Sequence, residues 1–162
     1  MTVVLGVDIG VRGAIALAGD NGELLEVHAM PCLDEGPAGR RSVNAPLVAE
    51  IVFKSKASRA FVEQVAARPG EGPTGAFALG RSRGLIEGVL AAAGLPVTFL
   101  TPPTWKRAVG IPRGANGAKD AARSEVIRRW PDKAALFARV KDDGKAEAAL
   151  IGVAGLLRER RL

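Results

Sequence analysis

The sequence predicts an α/β fold in which a mixed five-stranded sheet is flanked by helices, and three observations predict it. Residues 2–10, 12–19 and 23–30 are strand-like apolar runs separated by the turn signals Gly10, Gly13 and Gly19-Asp20-Asn21-Gly22. Two more short apolar runs, 59–65 and 96–100, alternate with helix-length segments. The remainder of the chain beyond residue 100 reads as helical, so the order is β-β-β-α-β-α-β-α-α.

The first three runs read as an antiparallel meander with the first strand central to the sheet. Residues 31–42, rich in Pro, Gly, Arg and acids, read as a loop, and Asn44 is placed to cap a helix running to about Lys54. A buried strand follows at 59–65. Residues 66–73, Ala-Ala-Arg-Pro-Gly-Glu-Gly-Pro, exclude regular structure and read as a mobile loop at a strand end. A helix is expected from about Thr74 to Ala93, ended by Gly94, then a strand at 96–100. Pro102-Pro103-Thr104 introduces a short helix around 105–109. Residues 110–117 are a flexible break, 118–130 a basic helix, and about 144–160 a final helix apolar over most of its circumference.

With 162 residues and 48% hydrophobic content, the chain suffices for one domain, expected over 1–162. No apolar run reaches the ~20 residues of a membrane span, and no cationic segment precedes the first strand, so a soluble, unexported, cytoplasmic protein is expected. One cysteine, Cys32, and one histidine, His28, exclude an intrachain disulfide and a Cys/His zinc cluster. Any catalytic metal must be held by oxygen. Charge is unevenly distributed: residues 1–100 carry 9 Lys and Arg against 10 Asp and Glu, whereas residues 101–162 carry 14 against 7. A basic C-terminal third suits a polyanion such as nucleic acid or an acidic membrane; a merely solvated helical surface is the plainer account.

Within this frame two acids stand out. Asp8 interrupts the apolar run 3–10, and Glu63 interrupts Ala60-Phe61-Val62-Glu63-Gln64-Val65. A buried carboxylate is costly unless paired or metal-bound, and two on adjacent strands repel unless a cation lies between them. A third acidic segment, Lys141-Asp142-Asp143-Gly144-Lys145-Ala146-Glu147, opens the last helix and puts Asp143 and Glu147 four residues apart on one face. Asp8, Glu63, Asp143 and Glu147 together match what hard ions such as Mg²⁺ or Mn²⁺ require. Two such ions roughly 3.5–4 Å apart support in-line hydrolysis of a phosphodiester. Each acid also admits a structural reading: Asp8 paired with Arg12, Glu63 facing water from an edge strand, Asp142 or Asp143 capping a helix.

The motifs Gly6-Val7-Asp8-Ile9-Gly10, Phe61-Val62-Glu63-Gln64-Val65, Gly80-Arg81-Ser82-Arg83-Gly84 and Lys141-Asp142-Asp143-Gly144-Lys145-Ala146-Glu147-Ala148 resemble, in order and spacing, the RuvC family of Holliday-junction resolvases. The resemblance covers nearly the whole chain. Thr104-Trp105-Lys106-Arg107, Lys119-Asp120 and the Asp-Gly-Lys-Ala-Glu-Ala run bring it closer to the phage and chloroplast branches. It implies a ribonuclease H-like fold, a homodimer without a nucleotide cofactor, and cleavage of a four-way DNA junction with two Mg²⁺ or Mn²⁺ ions per active site. By resemblance Asp8 is the first-strand acid, Glu63 the second-strand acid, Asp143 and Glu147 the C-terminal pair, and Lys119 a basic residue beside the scissile phosphate. Two features depart from the bacterial branch. Its junction-centre aromatic corresponds here to Ala66, and its C-terminal acids are three apart where Asp143 and Glu147 are four apart, with Asp142 adjacent.

Arg81, Arg83, Trp105, Lys106, Arg107, Arg113, Lys119 and Arg123 are the candidate DNA contacts, the cations on phosphates. Trp105 has two readings, stacking on a base or anchoring its helix against the core. Parts of the same pattern also fit other functions. Asp8-Ile9-Gly10-Val11-Arg12-Gly13 also resembles the phosphate-binding turn of sugar kinases and actin-like ATPases, whose two lobes 162 residues do not supply. A nuclease of this fold acting on RNA or an RNA–DNA hybrid stays open; against a non-catalytic junction-binding module stands the presence of Glu63, Asp143 and Glu147 together.

Overall fold

Strand β1 (Val3–Asp8) runs through the middle of the sheet because its side chains are apolar on both faces: Val4, Leu5 and Val7 are all but inaccessible to water. In a computed structural model the described residues are 1–37, 39–112, 114 and 118–161, with only the backbone of 118 and 119 described. Beside β1 lie β2 (Ala14–Gly19), antiparallel, and β6 (Arg59–Glu63), parallel. β3 (Leu24–Ala29) closes one edge and β7 (Val97–Leu100) the other, giving the order β3-β2-β1-β6-β7. The turn from β1 into β2 depends on Gly10, whose φ of 120° is open to glycine and strained for other residues.

Helices cover both faces. α1 (Ala45–Ser55), capped by the Asn44 side chain as the sequence predicts, and α2 (Pro73–Ala92) bury Val48, Val52, Ile86 and Leu90 against Leu5, Val7, Ile15 and Val62. α3 (Pro102–Ala108), α4 (Ala118–Arg129) and α5 (Asp143–Glu159) cover the opposite face around Val4, Ala16, Phe61 and Trp105. Each large side chain so enclosed contributes about 1.5–3 kcal/mol. No helix among the described residues is long and apolar enough to cross a membrane.

Several boundaries differ from the sequence reading. Residues 31–42 are not a plain loop: β4 (Cys32–Asp34) and β5 (Arg41–Val43) form a small hairpin, anchored by the buried Val43. The strand expected over 59–65 stops at Glu63, after which Gln64 N–H donates to the Leu100 carbonyl and the Val65 carbonyl accepts from Arg83. Residues 131–142, unassigned from sequence, form two 3₁₀ segments, Pro131–Phe137 and Val140–Asp142, held down by the fully buried Phe137.

Candidate metal centre

Parallel pairing of β1 with β6 puts Val7 opposite Val62, so Asp8 and Glu63 follow one step later at the carboxyl ends of adjacent strands. That end of a parallel pair is where open α/β sheets bind ligands. Strand alternation sends Asp8 to the face of Val4 and Gly6, and Glu63 to the face of Phe61, both facing α5. Glu147 arrives from the second turn of α5. Glycines let that helix lie directly on the strands: a Cβ on Gly6 would stand 2.1 Å from the Ala148 carbonyl oxygen, and one on Gly155 would enter the Phe61 ring at 2.1 Å.

As a result, one carboxylate oxygen from each of Asp8, Glu63 and Glu147 lies within 4.8 Å of the other two. Asp8 is only 8% exposed. Burial, then the negative charges of Glu147, Glu63 and Asp143 and a hydrogen bond with Glu63, hold its carboxyl well above the ordinary carboxylate range. The charges that act on Asp8 are those of acids. Such a cluster is relieved by a proton held between carboxyls or by a cation among them. The donor set fits a cation: it is all oxygen, and an ion ~2.0–2.4 Å from each ligand brings any two of them to within ~4–4.8 Å.

The four-acid set expected from sequence is brought together only in part. Asp143 is outside the close trio; its Oδ1 accepts from the Gly144 N–H at 2.9 Å, while its charge still acts on Asp8. Asp142 is 2% exposed and is engaged elsewhere. It accepts from the Arg139 backbone N–H at 3.1 Å and from the Arg139 guanidinium at 2.9 and 3.0 Å, and it pairs with Lys145 at 3.3 Å. These cations hold its carboxyl well below the usual range. Asp142 therefore organises the entry to α5. The i, i+3 spacing of Arg139-Asp142-Lys145 was the signal for this in the sequence.

Among the candidate DNA contacts the structure corrects one and finds two others engaged within the fold. Trp105 is fully buried, so it does not stack on a base; its indole N–H donates to Glu63 Oε1 at 2.9 Å. Arg83 donates to Glu87 at 2.6 Å and to the Val65 carbonyl at 2.9 Å, and it lies 5.2 Å from the Phe99 ring centre. Arg123, 16% exposed, is tied to Asp120 and to the Ala138 carbonyl. Both arginines are thus partly engaged within the fold, and among the described residues the buried Nε of Arg123 has no hydrogen-bond partner. Arg81 is half exposed and pairs with Glu35 at 2.9 Å. Arg107 is exposed on α3, and Lys106 lies 5.3 Å from the Trp105 ring. Arg113 lies outside the described residues; Lys119 is placed by backbone alone, in the first turn of α4.

No protein-family model matches this chain, and no curated protein matches its sequence. Among solved structures, T. thermophilus RuvC in complex with Holliday junction substrate is 16% identical, with a TM-score of 0.65 over 99% of this chain and 96% of that one. A second Thermus thermophilus RuvC structure is 18% identical, with a TM-score of 0.61 over 99% and 96% of the two chains. The likeness shows the fold: the five-stranded sheet and its helices are arranged as in these RuvC structures.

Proposed function

We propose that this chain is a divalent-metal-dependent endodeoxyribonuclease that cuts four-way DNA junctions, working in the cytoplasm as a homodimer with no nucleotide cofactor. One observation carries the reading: Asp8, Glu63 and Glu147 converge within 4.8 Å at the carboxyl ends of two parallel strands. The likeness of fold to a RuvC solved with a Holliday junction substrate supports branched DNA as the substrate. Two Mg²⁺ or Mn²⁺ ions held by these acids would supply activation of a water and charge neutralisation at the leaving oxygen of a phosphodiester.

The chain's own residues bind and orient. Asp8, the most buried of the trio, would hold the metal together with Glu63 and Glu147, with Asp143 completing the set from the start of α5. Lys119 neutralises the phosphate under attack. Lys106, Arg107, Arg113 and Arg81 hold neighbouring phosphates, which gives affinity that falls with salt and carries little base information. A twofold dimer presents two such centres to a pseudo-symmetric junction.

The test is cleavage of a synthetic four-way junction, a linear duplex and an RNA–DNA hybrid, with and without Mg²⁺ or Mn²⁺. Metal-dependent paired cuts in the junction are expected. Equal cutting of the hybrid would make the enzyme a ribonuclease H-like nuclease of broader substrate, and metal-dependent binding without cuts would make it a junction-binding module.

A further inference from the structure

We propose that Trp105 is a positioning residue of the metal centre, its buried indole N–H holding Glu63 in the rotamer that joins Asp8 and Glu147. The inference rests on the metal-centre reading above and goes beyond it, because it assigns a working role to a side chain that touches neither DNA nor ion.

Three observations carry it. Trp105 is 0% exposed, and its N–H donates to Glu63 Oε1 at 2.9 Å. A buried indole N–H needs an acceptor, and here the acceptor is one member of the acidic trio. The fold also delivers the indole to that place. Glu63, the last residue of β6, pairs with Leu100, the last residue of β7, and α3 begins two residues later, its first turn closed by the Trp105 backbone N–H on the Thr101 carbonyl. Trp105 thus stands beside the end of β6 because β7 and α3 put it there.

The physical consequence concerns Glu63, which is only half-buried. A free glutamate has up to ~1.5–2 kcal/mol of rotamer entropy to lose when it is fixed. The indole fixes it in advance. A carboxylate has about four lone-pair sites, so one bond from Trp105 leaves the others for a cation. Partners of this kind behind a metal ligand typically change affinity or activity by ~10–100-fold when removed.

The experiment measures Mn²⁺ binding to the full chain by titration calorimetry, with thermal unfolding recorded alongside. The chain has 2 tryptophans, which makes Trp130, also buried in that core, an internal control. Four proteins are compared: wild type, Trp105→Phe, Trp130→Phe, and Trp130→Phe with its remaining tryptophan replaced biosynthetically by benzothienylalanine, which keeps the ring shape and lacks the N–H. The expected result is Mn²⁺ binding roughly 10–100-fold weaker in Trp105→Phe and in the benzothienyl protein, with Trp130→Phe binding as wild type. Binding by the benzothienyl protein within twofold of Trp130→Phe, while wild type binds Mn²⁺, overturns the role of Trp105 and leaves the metal centre standing. Equal weakening in Trp130→Phe and Trp105→Phe also overturns it, since core damage then explains both. A wild-type chain that takes up no Mn²⁺ overturns the metal reading and this inference together.

Discussion

Gly6 of β1 and Gly152 of α5 meet backbone to backbone: a Cβ on Gly6 would stand 2.6 Å from the Gly152 nitrogen, and one on Gly152 would stand 3.5 Å from the Gly6 Cα. No side chain fits on Gly6 at this point, whereas a Cβ on Gly152 would meet the strand at ordinary contact distance. The contact lies within the span of α5 that also carries Glu147, so the depth at which α5 sits decides how near Glu147 comes to Asp8. Gly6→Ala should therefore act twice. Urea unfolding is expected to show a loss of roughly 1–3 kcal/mol or more from overpacking, and the folded fraction should need more Mn²⁺ for half-maximal cleavage.

Asp8→Asn should lower cleavage by at least about 100-fold while junction binding, read by gel shift, stays within a few fold. In EDTA the same variant should be more stable than wild type by about 1 kcal/mol or more, because the amide removes a buried charge facing three acids. That corresponds to a rise in Tm of roughly 2–4 °C. A fall in Tm would mean that Asp8 supports the fold through a bond that an amide does not replace.

Asp142 and Asp143 are neighbours with different work. Asp142→Asn breaks a buried carboxylate's bonds to Arg139 and Lys145 and should cost about 1–3 kcal/mol, leaving the metal requirement of the reaction unchanged. Asp143→Asn should leave Tm nearly unchanged and raise the Mn²⁺ concentration at half-maximal rate. Reversal of the two outcomes would make Asp142 the ligand.

Arg107 is exposed on α3, one residue beyond Lys106. Arg107→Ala should weaken junction binding and reduce the slope of log Kd against log salt by about 1. An unchanged slope would remove α3 from the DNA surface. Trp105→Phe, by contrast, should not alter this slope, since the indole is enclosed in protein.

Glu125 on α4 joins Arg128 at 2.8 Å and Arg129 at 2.6 Å, and these bonds hold its carboxyl below the ordinary 4.5. A carboxyl depressed on folding adds stability that is present above its unfolded value and disappears as pH falls through the folded one. Glu125→Gln should thus cost about 0.5–1 kcal/mol at pH 7. Its gap from wild type should close between about pH 5 and pH 3. A gap of constant size over that range would mean that packing, not charge, is lost.

Much of this was legible in the chain because it depends on neighbours in sequence. Strand alternation alone assigns Asp8 and Gly6 to one face of β1, and Asn44, Gly94 and Pro102 mark helix ends through local capping and backbone geometry. The hairpin at residues 32–43 was not legible, since strands of 3 residues carry too little pattern to stand out from their Gly- and Pro-rich surroundings.

By itself the sequence determined that acids lie in buried strands and at the head of the last helix, that only oxygen can hold a metal, and that the basic charge is concentrated beyond residue 100. Tertiary structure decided the rest. It chose Glu147 as the third member of the close trio, turned Asp142 toward Arg139 and Lys145, and put the Trp105 indole against Glu63 instead of in solvent. The physical reason is that these choices follow from how far α5 slides and rotates on β1, and from which strand end α3 adjoins. Those quantities are fixed by contacts such as Gly6 with Gly152, between residues far apart along the chain and close only once it has folded.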